Sequence, residues 1–359
     1  GEGFYYTDAV SEAGCGFIVD TPADKPLFLY LAFTAPHWPL HAHQKDIDGY
    51  DGVYDCGWDA IRASRLARMK KMGIVPEDCR LSPRDRQVPP WSGDLKNRDV
   101  LIRRMQTYAA QIECMDRGIG RVVEQLKKSG RLDNTLFVFL ADNGGCNERL
   151  RKKGSQRFAW PGQDSSRWGN GQDVAPGGGE SFQSYGVGWA NASNTPFRRY
   201  KKNSHEGGVA TPLIVHWPRG IAAGRHGKLS RQPGHVIDIM ATCVDVAGAP
   251  YPSEFKDHAI TPLPGVSLAP ALKGELLGRE KPLFFEHTGH RAIRDGQWKL
   301  VKVRNRPWEL YDLDADHSEL VNLVKAQPAR VKRMTRAWLD WAVAANVLTG
   351  KQANKERRP

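Results

Sequence analysis

The sequence predicts an α/β fold: a mainly parallel sheet sandwiched by helices, followed by a smaller C-terminal α+β subdomain. Three observations predict it. Uninterrupted apolar runs at Leu27–Ala35, Thr135–Ala141 and Leu213–Trp217 read as strands covered on both faces. Amphipathic helical patterns alternate with these runs, as they do when helices cover a sheet. From about residue 278 the pattern changes to short antiparallel segments punctuated by a hairpin turn.

Taken in chain order, the first strand, LFLYLAFTA, stops at Pro36-His37-Trp38-Pro39. Two prolines there fix a sharp exit and hold a histidine at the rim of the sheet. A helix follows: Leu101, Met105, Tyr108, Ile112, Met115, Ile119, Val122 and Leu126 alternate steps of four and three along one stripe. Lys127 and Lys128 occupy its last turn and Gly130 stops it. A second helix is expected over His235–Ala247, ending at Gly248. Between them, Arg149–Asn194 is rich in Gly, Ser, Gln and Trp and has no period, so it reads as a long functional or mobile loop. In the tail, Leu283–His287, Arg291–Arg294 and Gln297–Val303 are expected as antiparallel strands, the last two joined at Asp295-Gly296. Trp308–Leu313 adds a strand and Gln327–Ala344 a closing helix. The expected division is therefore 1–277 and 278–359.

Composition narrows the function. With 40% hydrophobic and 26% charged residues the chain is an ordinary soluble globular one. Pro36 and His37 break the longest apolar run, which is too short to span a bilayer, so no membrane partner is expected. Gly1–Thr7 has neither the basic start nor the apolar core of a secretory signal, and no initiator Met precedes it. The chain is expected to be a fragment lacking its N-terminal part. A net charge of +12 raises nucleic acid as a partner, but the basic residues are spread along the chain, with short clusters at Arg149–Lys153 and Arg198–Lys202. That distribution suits an anionic small substrate and not a nucleic acid. The six cysteines form no C-x-x-C pair, which argues against structural zinc and against a disulfide framework.

Ligands of a parallel sheet bind beyond the carboxyl ends of its strands. His37 lies just after the first run, Asp142-Asn143-Gly144-Gly145 after the second, and Lys201–Gly208 (KKNSHEGG) before the third. Singly these are a turn histidine, a plain turn and a surface lysine. Together they are more informative. Asp142 and Asn143 offer hard oxygens suited to calcium or magnesium, and Lys201 with His37 beside such an ion would suit a tetrahedral oxyanion.

On these residues the chain resembles a type I sulfatase of the alkaline phosphatase superfamily, arylsulfatase A-like. The segments that carry the resemblance are PLFLYLAFTAPHWPLHA, YDGVYDCGWDAIRASRLARMKKMGIVP, MDRGIGRVVEQLKKSGRLDNTLFVFLADNGG, FRRYKKNSHEGGVATPLIVHWPRGI, FFEHTGHRAIRDGQWKLV and WELYDLDADHSELVNL. The resemblance implies that His37 contacts the substrate sulfate and assists the leaving oxygen, and that Lys201 clamps the sulfate. It implies that Asp142 and Asn143 ligate one divalent cation, Ca2+, and that the substrate is a sulfated small molecule or polysaccharide. It also implies a periplasmic or secreted protein. His287, in FFEHTGH, is a weaker substrate-binding candidate, with core packing as its alternative.

The resemblance further implies a formylglycine nucleophile made from a C/S-x-P-S-R segment, expected only in the missing N-terminal part, so the fragment alone is expected to be inactive. Cys79-Arg-Leu-Ser-Pro-Arg84 has Ser before Pro and follows the His37 strand, so it reads as a surface loop. His41 and His43 read as loop histidines, because Pro39 prevents the helix that would align His41 with His37. Asn191-Ala-Ser193 is a glycosylation sequon read as meaningless. Two alternatives stand beside the sulfatase reading: a phosphoester or phosphonate hydrolase of the same superfamily, and a non-catalytic relative that binds sulfated glycans.

Overall fold

The computed structural model describes residues 3–170 and 174–356. The chain forms two compact units: Gly1–Leu132, Asn143–Lys201 and His205–Ala210 make the first, and Asp133–Asp142, Lys202–Ser204 and Thr211–Pro359 the second.

The first unit is helical. It contains α1 (Tyr6–Asp20), α2 (Gln44–Asp48), α3 (Gly57–Lys71), α4 (Arg98–Lys128), α5 (Lys152–Ser155), α6 (Gly186–Ser193) and α7 (Glu206–Val209). Helix α1 buries Thr7, Ser11, Gly14 and Ile18, a narrow stripe of mostly small residues spaced four and three apart. It lies close against α4: a Cβ on Gly118 would stand 2.1 Å from the Ser11 Oγ. Helix α4 appears where the apolar stripe placed it, but its buried face is wider and includes Gln106, Thr107 and Gln111, while Ile112 is exposed.

Two carboxylates tie this region together. Asp8 accepts from Arg121 at 2.7 Å and from His43 at 3.3 Å; Asp46 accepts from Arg117 at 2.6 Å and from the Cys114 thiol at 3.1 Å. Desolvation works against both carboxylates, yet these donors hold both below the usual carboxylate range. Burial, with Asp46 beside it, pushes the Cys114 thiol up to about 12.

The core of the unit is aromatic. Trp58, Trp189, Tyr185 and Tyr200 pack with Leu40, Val88 and Met105. Trp189 comes from α6, inside the segment read from sequence as loop. That helix is only eight residues of GVGWANAS, too short and too rich in small residues to show a period. Its small residues have a packing reason, since a Cβ on Gly188 would stand 2.6 Å from the Trp58 ring. The Asn191 sequon lies in this helix with Asn191 only 2% exposed, its amide oxygen accepting from the Asp85 N–H.

The Leu27–Ala35 run is a correction. It belongs to no strand ladder among the described residues, its Phe33 N–H donates to the Leu31 carbonyl at 3.2 Å, and its side chains alternate, with Phe28 and Tyr30 78% and 82% exposed.

The second unit carries every named strand. β1 (Phe137–Leu140) pairs with β2 (Leu213–His216), β3 (Glu254–Phe255) with β4 (His258–Ala259), and β5 (Leu283–His287), β6 (His290–Asp295), β7 (Trp298–Val303) and β8 (Trp308–Asp312) form one sheet in chain order. The helices are α8 (Ile237–Val246), α9 (Ala269–Lys273), α10 (Pro328–Ala344) and α11 (Gly350–Glu356). The α/β class stands, but the expected parallel pairing does not. β1 runs antiparallel to β2, from Phe137 opposite His216 to Leu140 opposite Leu213. Apolar content reports burial and carries no direction, and here it overstated burial as well: Ile214 of β2 is 59% exposed.

The tail follows its pattern closely. β5, β6, β7 and β8 pair antiparallel in sequence, with Asp295 opposite Trp298 across Gly296. Ile293, Leu300 and Leu310 pack on Met334, Trp338 and Leu339 of α10, while Ala292, Val301 and Tyr311 pack on the other face. Lys299 and Glu319, 1% and 0% exposed, form an ion pair at 3.0 Å.

Candidate functional site

Glycines make the site possible. A Cβ on Gly144 would stand 1.9 Å from the Gly207 carbonyl oxygen, and one on Gly207 would stand 2.3 Å from that of Arg198. No other residue type fits such close backbone approaches. The Gly144 N–H accordingly donates to Gly208 at 3.0 Å, the Gly207 N–H to Arg198 at 3.1 Å and the Lys201 N–H to Gly145 at 3.1 Å. The two Gly-Gly pairs of ADNGG and HEGG thus interlock, and the interlock carries Lys201 to the turn after Asn143.

Asn194 braces this junction. Its carboxamide oxygen accepts from the Gly145 N–H at 2.8 Å and its nitrogen donates to the Arg199 carbonyl at 3.0 Å. Nearby, Arg198 Nη2 lies 3.0 Å from Nε2 of the fully buried His205. Sequence reasoning missed Asn194, because a lone Asn in a polar loop carries no motif.

The Lys201 Nζ lies 3.0 Å from His37 Nε2, across 164 positions of sequence. His37 Nδ1 is 2.8 Å from the Trp38 carbonyl, which can only accept. The Nδ1 proton is therefore committed, and Nε2 is the nitrogen that faces the lysine. The peptide bonds before Pro36 and Pro39 are both cis. Next to His37, the Trp38 indole N–H donates to Glu148 at 3.0 Å, and the Gln111 amide approaches the Pro39 carbonyl at 3.4 Å.

Asp142 and Asn143 follow β1, with Asp142 exposed. The Asn143 amide nitrogen donates to the Gly144 carbonyl at 3.0 Å, which leaves its carboxamide oxygen as the atom for a cation. Asp142 and Asn143 fit the hard-oxygen chemistry of calcium as part of a ligand set. Calcium takes six to eight oxygens. Among the described residues no cluster of three or more His, Cys, Asp or Glu could hold a metal ion.

His41, His43 and the Cys79 stretch have other partners. The His41 Nε2 lies 2.7 Å from the Ser181 carbonyl, and burial lowers its pKa despite that bond. His43 pairs with Asp8. Neither histidine joins His37. Cys79 is buried against Leu66 and Val75, and the Ser82 hydroxyl donates to Phe197 at 3.0 Å, so the stretch read as a surface loop is in part packed. His287 ends β5 and is exposed, with the Thr288 hydroxyl 3.2 Å away, which removes its core-packing alternative.

Comparison with known proteins agrees with these motifs. The sulfatase family model matches residues 1–249, and the model of the N-sulphoglucosamine sulphohydrolase C-terminal region matches residues 198–339. An uncharacterized sulfatase of Schizosaccharomyces pombe is 31% identical over 358 residues, covering 96% of this chain and 63% of that protein. An arylsulfatase of Klebsiella aerogenes is 36% identical over 268 residues, 74% of this chain and 56% of that protein. The chain thus spans 63% and 56% of the lengths of these relatives. Among solved structures, Ps i-CgsB superposes with a TM-score of 0.60 at 28% identity, covering 95% of this chain and 55% of that one, and has also been solved with k-i-k-neocarrahexaose. A phosphonate monoester hydrolase from Silicibacter pomeroyi shares the fold, with a TM-score of 0.53 at 21% identity, covering 93% of this chain and 60% of that one. The chain belongs to the sulfatase family and has its alkaline phosphatase-like α/β fold.

Proposed function

We propose that the protein hydrolyses sulfate esters of aryl or carbohydrate alcohols, with Lys201 and His37 handling the sulfate and the leaving oxygen. The observation that carries this reading is the 3.0 Å approach of Lys201 Nζ to His37 Nε2. An ammonium has three N–H donors and a neutral imidazole nitrogen one lone pair. One lysine proton faces Nε2 and the others remain for sulfate oxygens, offsetting charge that grows on them in the transition state. With Nδ1–H committed to the Trp38 carbonyl, protons enter and leave the ring only at Nε2. Once sulfate oxygens draw the ammonium off Nε2, a proton taken up there from water can pass to the departing alkoxide, and the ring returns to the same tautomer.

A divalent cation, calcium by family resemblance, would be held in part by Asp142 and Asn143 and would supply positive charge against the sulfate oxygens. The same resemblance implies a formylglycine nucleophile, a role that no residue here is given. A periplasmic or secreted location and a sulfated small molecule or polysaccharide as substrate belong to this reading.

The test is turnover by the full-length protein of 4-nitrophenyl sulfate, 4-nitrophenyl phosphate and a phenylphosphonate monoester. The sulfate ester should be preferred. Lys201→Ala should lower its kcat/KM by about 10²–10³, as loss of one charge-stabilising donor does elsewhere. His37→Ala should cost about 10²–10⁴ and should cost less on substrates with better leaving groups. Unchanged sulfate turnover by Lys201→Ala, or faster phosphonate turnover by the parent, would overturn the reading.

A further inference from the structure

The segment after the metal-ligand candidates, residues 148–170, presents Arg149, Arg151, Lys152, Lys153 and Arg157 at an exposed surface. One acidic side chain of the segment, Asp164, is held below the usual carboxylate range mainly by its bonds to Ser166, with Arg167 and Lys152 adding to the effect. The field of the basic residues is felt inside the unit: burial and the Arg149 charge together push the Arg104 guanidinium down to about 10. Five like charges held in one short segment, in excess over its acidic side chains, cost free energy that an incoming polyanion would relieve.

This basic segment is joined to the candidate site by rings. Trp38, the residue after His37, meets Phe158 edge-on at 5.8 Å and Phe182 at 5.9 Å. Phe158 stacks on Phe182 at 5.7 Å, and Phe182 on Trp168 at 4.5 Å. Arg157 lies over the Phe158 ring at 4.7 Å. The base of the segment is closed as well: the Asn170 N–H donates to Leu150 at 2.8 Å, and the Asn170 amide to Ser184 at 2.8 Å. Two residues beyond Phe158, Trp160 stands 78% exposed. A large ring so exposed, in an otherwise polar stretch, is a surface on which an apolar sugar face can stack.

We propose that residues 149–160 form a subsite for a second sulfate group and its sugar, so that the substrate is a multiply sulfated oligosaccharide and not a small aryl ester. The proposal rests on the sulfatase reading above, because the Lys201–His37 pair is taken to hold the first sulfate. Arginine and lysine side chains give charge-assisted hydrogen bonds to sulfate oxygens, and Trp160 gives the sugar ring a face. A nucleic acid would meet the same charges, but nothing would then relate the patch to the pair beside Trp38.

Binding by the chain is measured calorimetrically at low and moderate salt with four probes. These are a carrageenan hexasaccharide carrying several sulfates, its desulfated form, a monosulfated sugar, and an oligothymidylate of equal charge. The sulfated hexasaccharide should bind at least about tenfold more tightly than the monosulfated sugar, with a steeper loss on adding salt. Combined Arg151→Ser, Lys152→Ser and Lys153→Ser should erase that advantage, and Trp160→Ala should reduce it, while binding of the monosulfated sugar stays unchanged. Arg157→Ser alone serves as a second variant should the triple one fold poorly. Hexasaccharide binding equal in parent and variants, or oligothymidylate binding as tight as the hexasaccharide, overturns the subsite. Lys201→Ala separates the two readings: it should abolish binding of the monosulfated sugar. If it leaves that binding intact while the basic variants still lose the hexasaccharide, the sulfate clamp has failed and the subsite stands.

Discussion

In the sheet β5–β8 each strand pairs with its neighbour in the chain, β5 with β6 across Thr288-Gly289 and β6 with β7 across Gly296-Gln297, whereas Lys201 and His37 meet across 164 positions. The sheet's order is written locally. Alternating side chains choose its faces, and residues at positive φ (Thr288, Gly289 and Gly296) make its tight turns. The site's order is written in backbone approaches that only glycine permits, at Gly144 and Gly207. The difference teaches where each can be damaged. The sheet should fail through lost packing and the site through small misplacements that leave packing almost untouched.

The largest effect is expected in the sheet. Trp338 is fully buried, its indole N–H donates to the Phe285 carbonyl at 3.1 Å, and Arg291 lies over its ring at 4.7 Å. Trp338→Ala should cost about 3–5 kcal/mol of stability, read from urea unfolding. Turnover per folded molecule in the full-length protein should be unchanged at 25 °C. A loss of turnover without a loss of stability would break the comparison.

Gly207→Ala should do the reverse. The new methyl would meet carbonyl oxygens of Arg198 and Arg199 at 2.3 and 2.4 Å, and backbone cannot swing away as a side chain can. The expected stability cost is about 1–3 kcal/mol, but kcat/KM on a sulfate ester should fall by about 10², because Lys201 is carried by the displaced turn. Equal turnover in Gly207→Ala and the parent would show that the interlock does not position the site.

A smaller effect concerns acid. The Asp8 and Asp46 carboxyls sit below the usual range because Arg121, His43, Arg117 and the Cys114 thiol donate to them, desolvation notwithstanding. A depressed carboxyl contributes stability that is fully present above its unfolded value near 3.9 and is lost as pH falls through the lower folded value. Helix content should therefore hold from pH 7 to about 5 as far as these groups act, and the first unit should weaken below about pH 4. Asp46→Asn should be less stable than the parent at pH 7 and should lose less on acidification. A parallel pH profile for the two proteins would remove Asp46 from the account.

The same contrast explains what was legible in the sequence. β5, β6, β7, β8 and α10 were readable because turn, alternation and helical stripe all lie within a few residues of each other. His37 and Lys201 were readable as motif residues, and the structure brings them together. Asn194 was not, since its role exists only once Gly145 and Arg199 have come to it. Helix α6 was hidden by small residues whose reason is the Trp58 ring. The strand direction of β1 and β2 was hidden because hydrophobicity has no sign along the chain.

The smallest effect tests the region that misled the sequence reading most. Leu27–Ala35 has the composition of a central strand, and a buried aromatic in such a strand costs about 3–5 kcal/mol when truncated. Here the run has no ladder among the described residues, and Tyr30 is more exposed than most surface residues, at 82%. A segment outside any ladder gains nothing from β-propensity, which measures packing against neighbours, and here the Phe33 N–H turns back to the Leu31 carbonyl at 3.2 Å. Tyr30→Thr should therefore change the unfolding free energy of the chain by no more than about 0.5 kcal/mol, as surface substitutions usually do. Phe28→Thr should behave alike, and the two together should add, because both side chains are mostly exposed. Urea unfolding of the two single variants and the double variant checks this. A loss above about 2 kcal/mol in either single variant would mean that the run is covered in solution. Composition would then have reported burial correctly where the exposure of Phe28 and Tyr30 denies it.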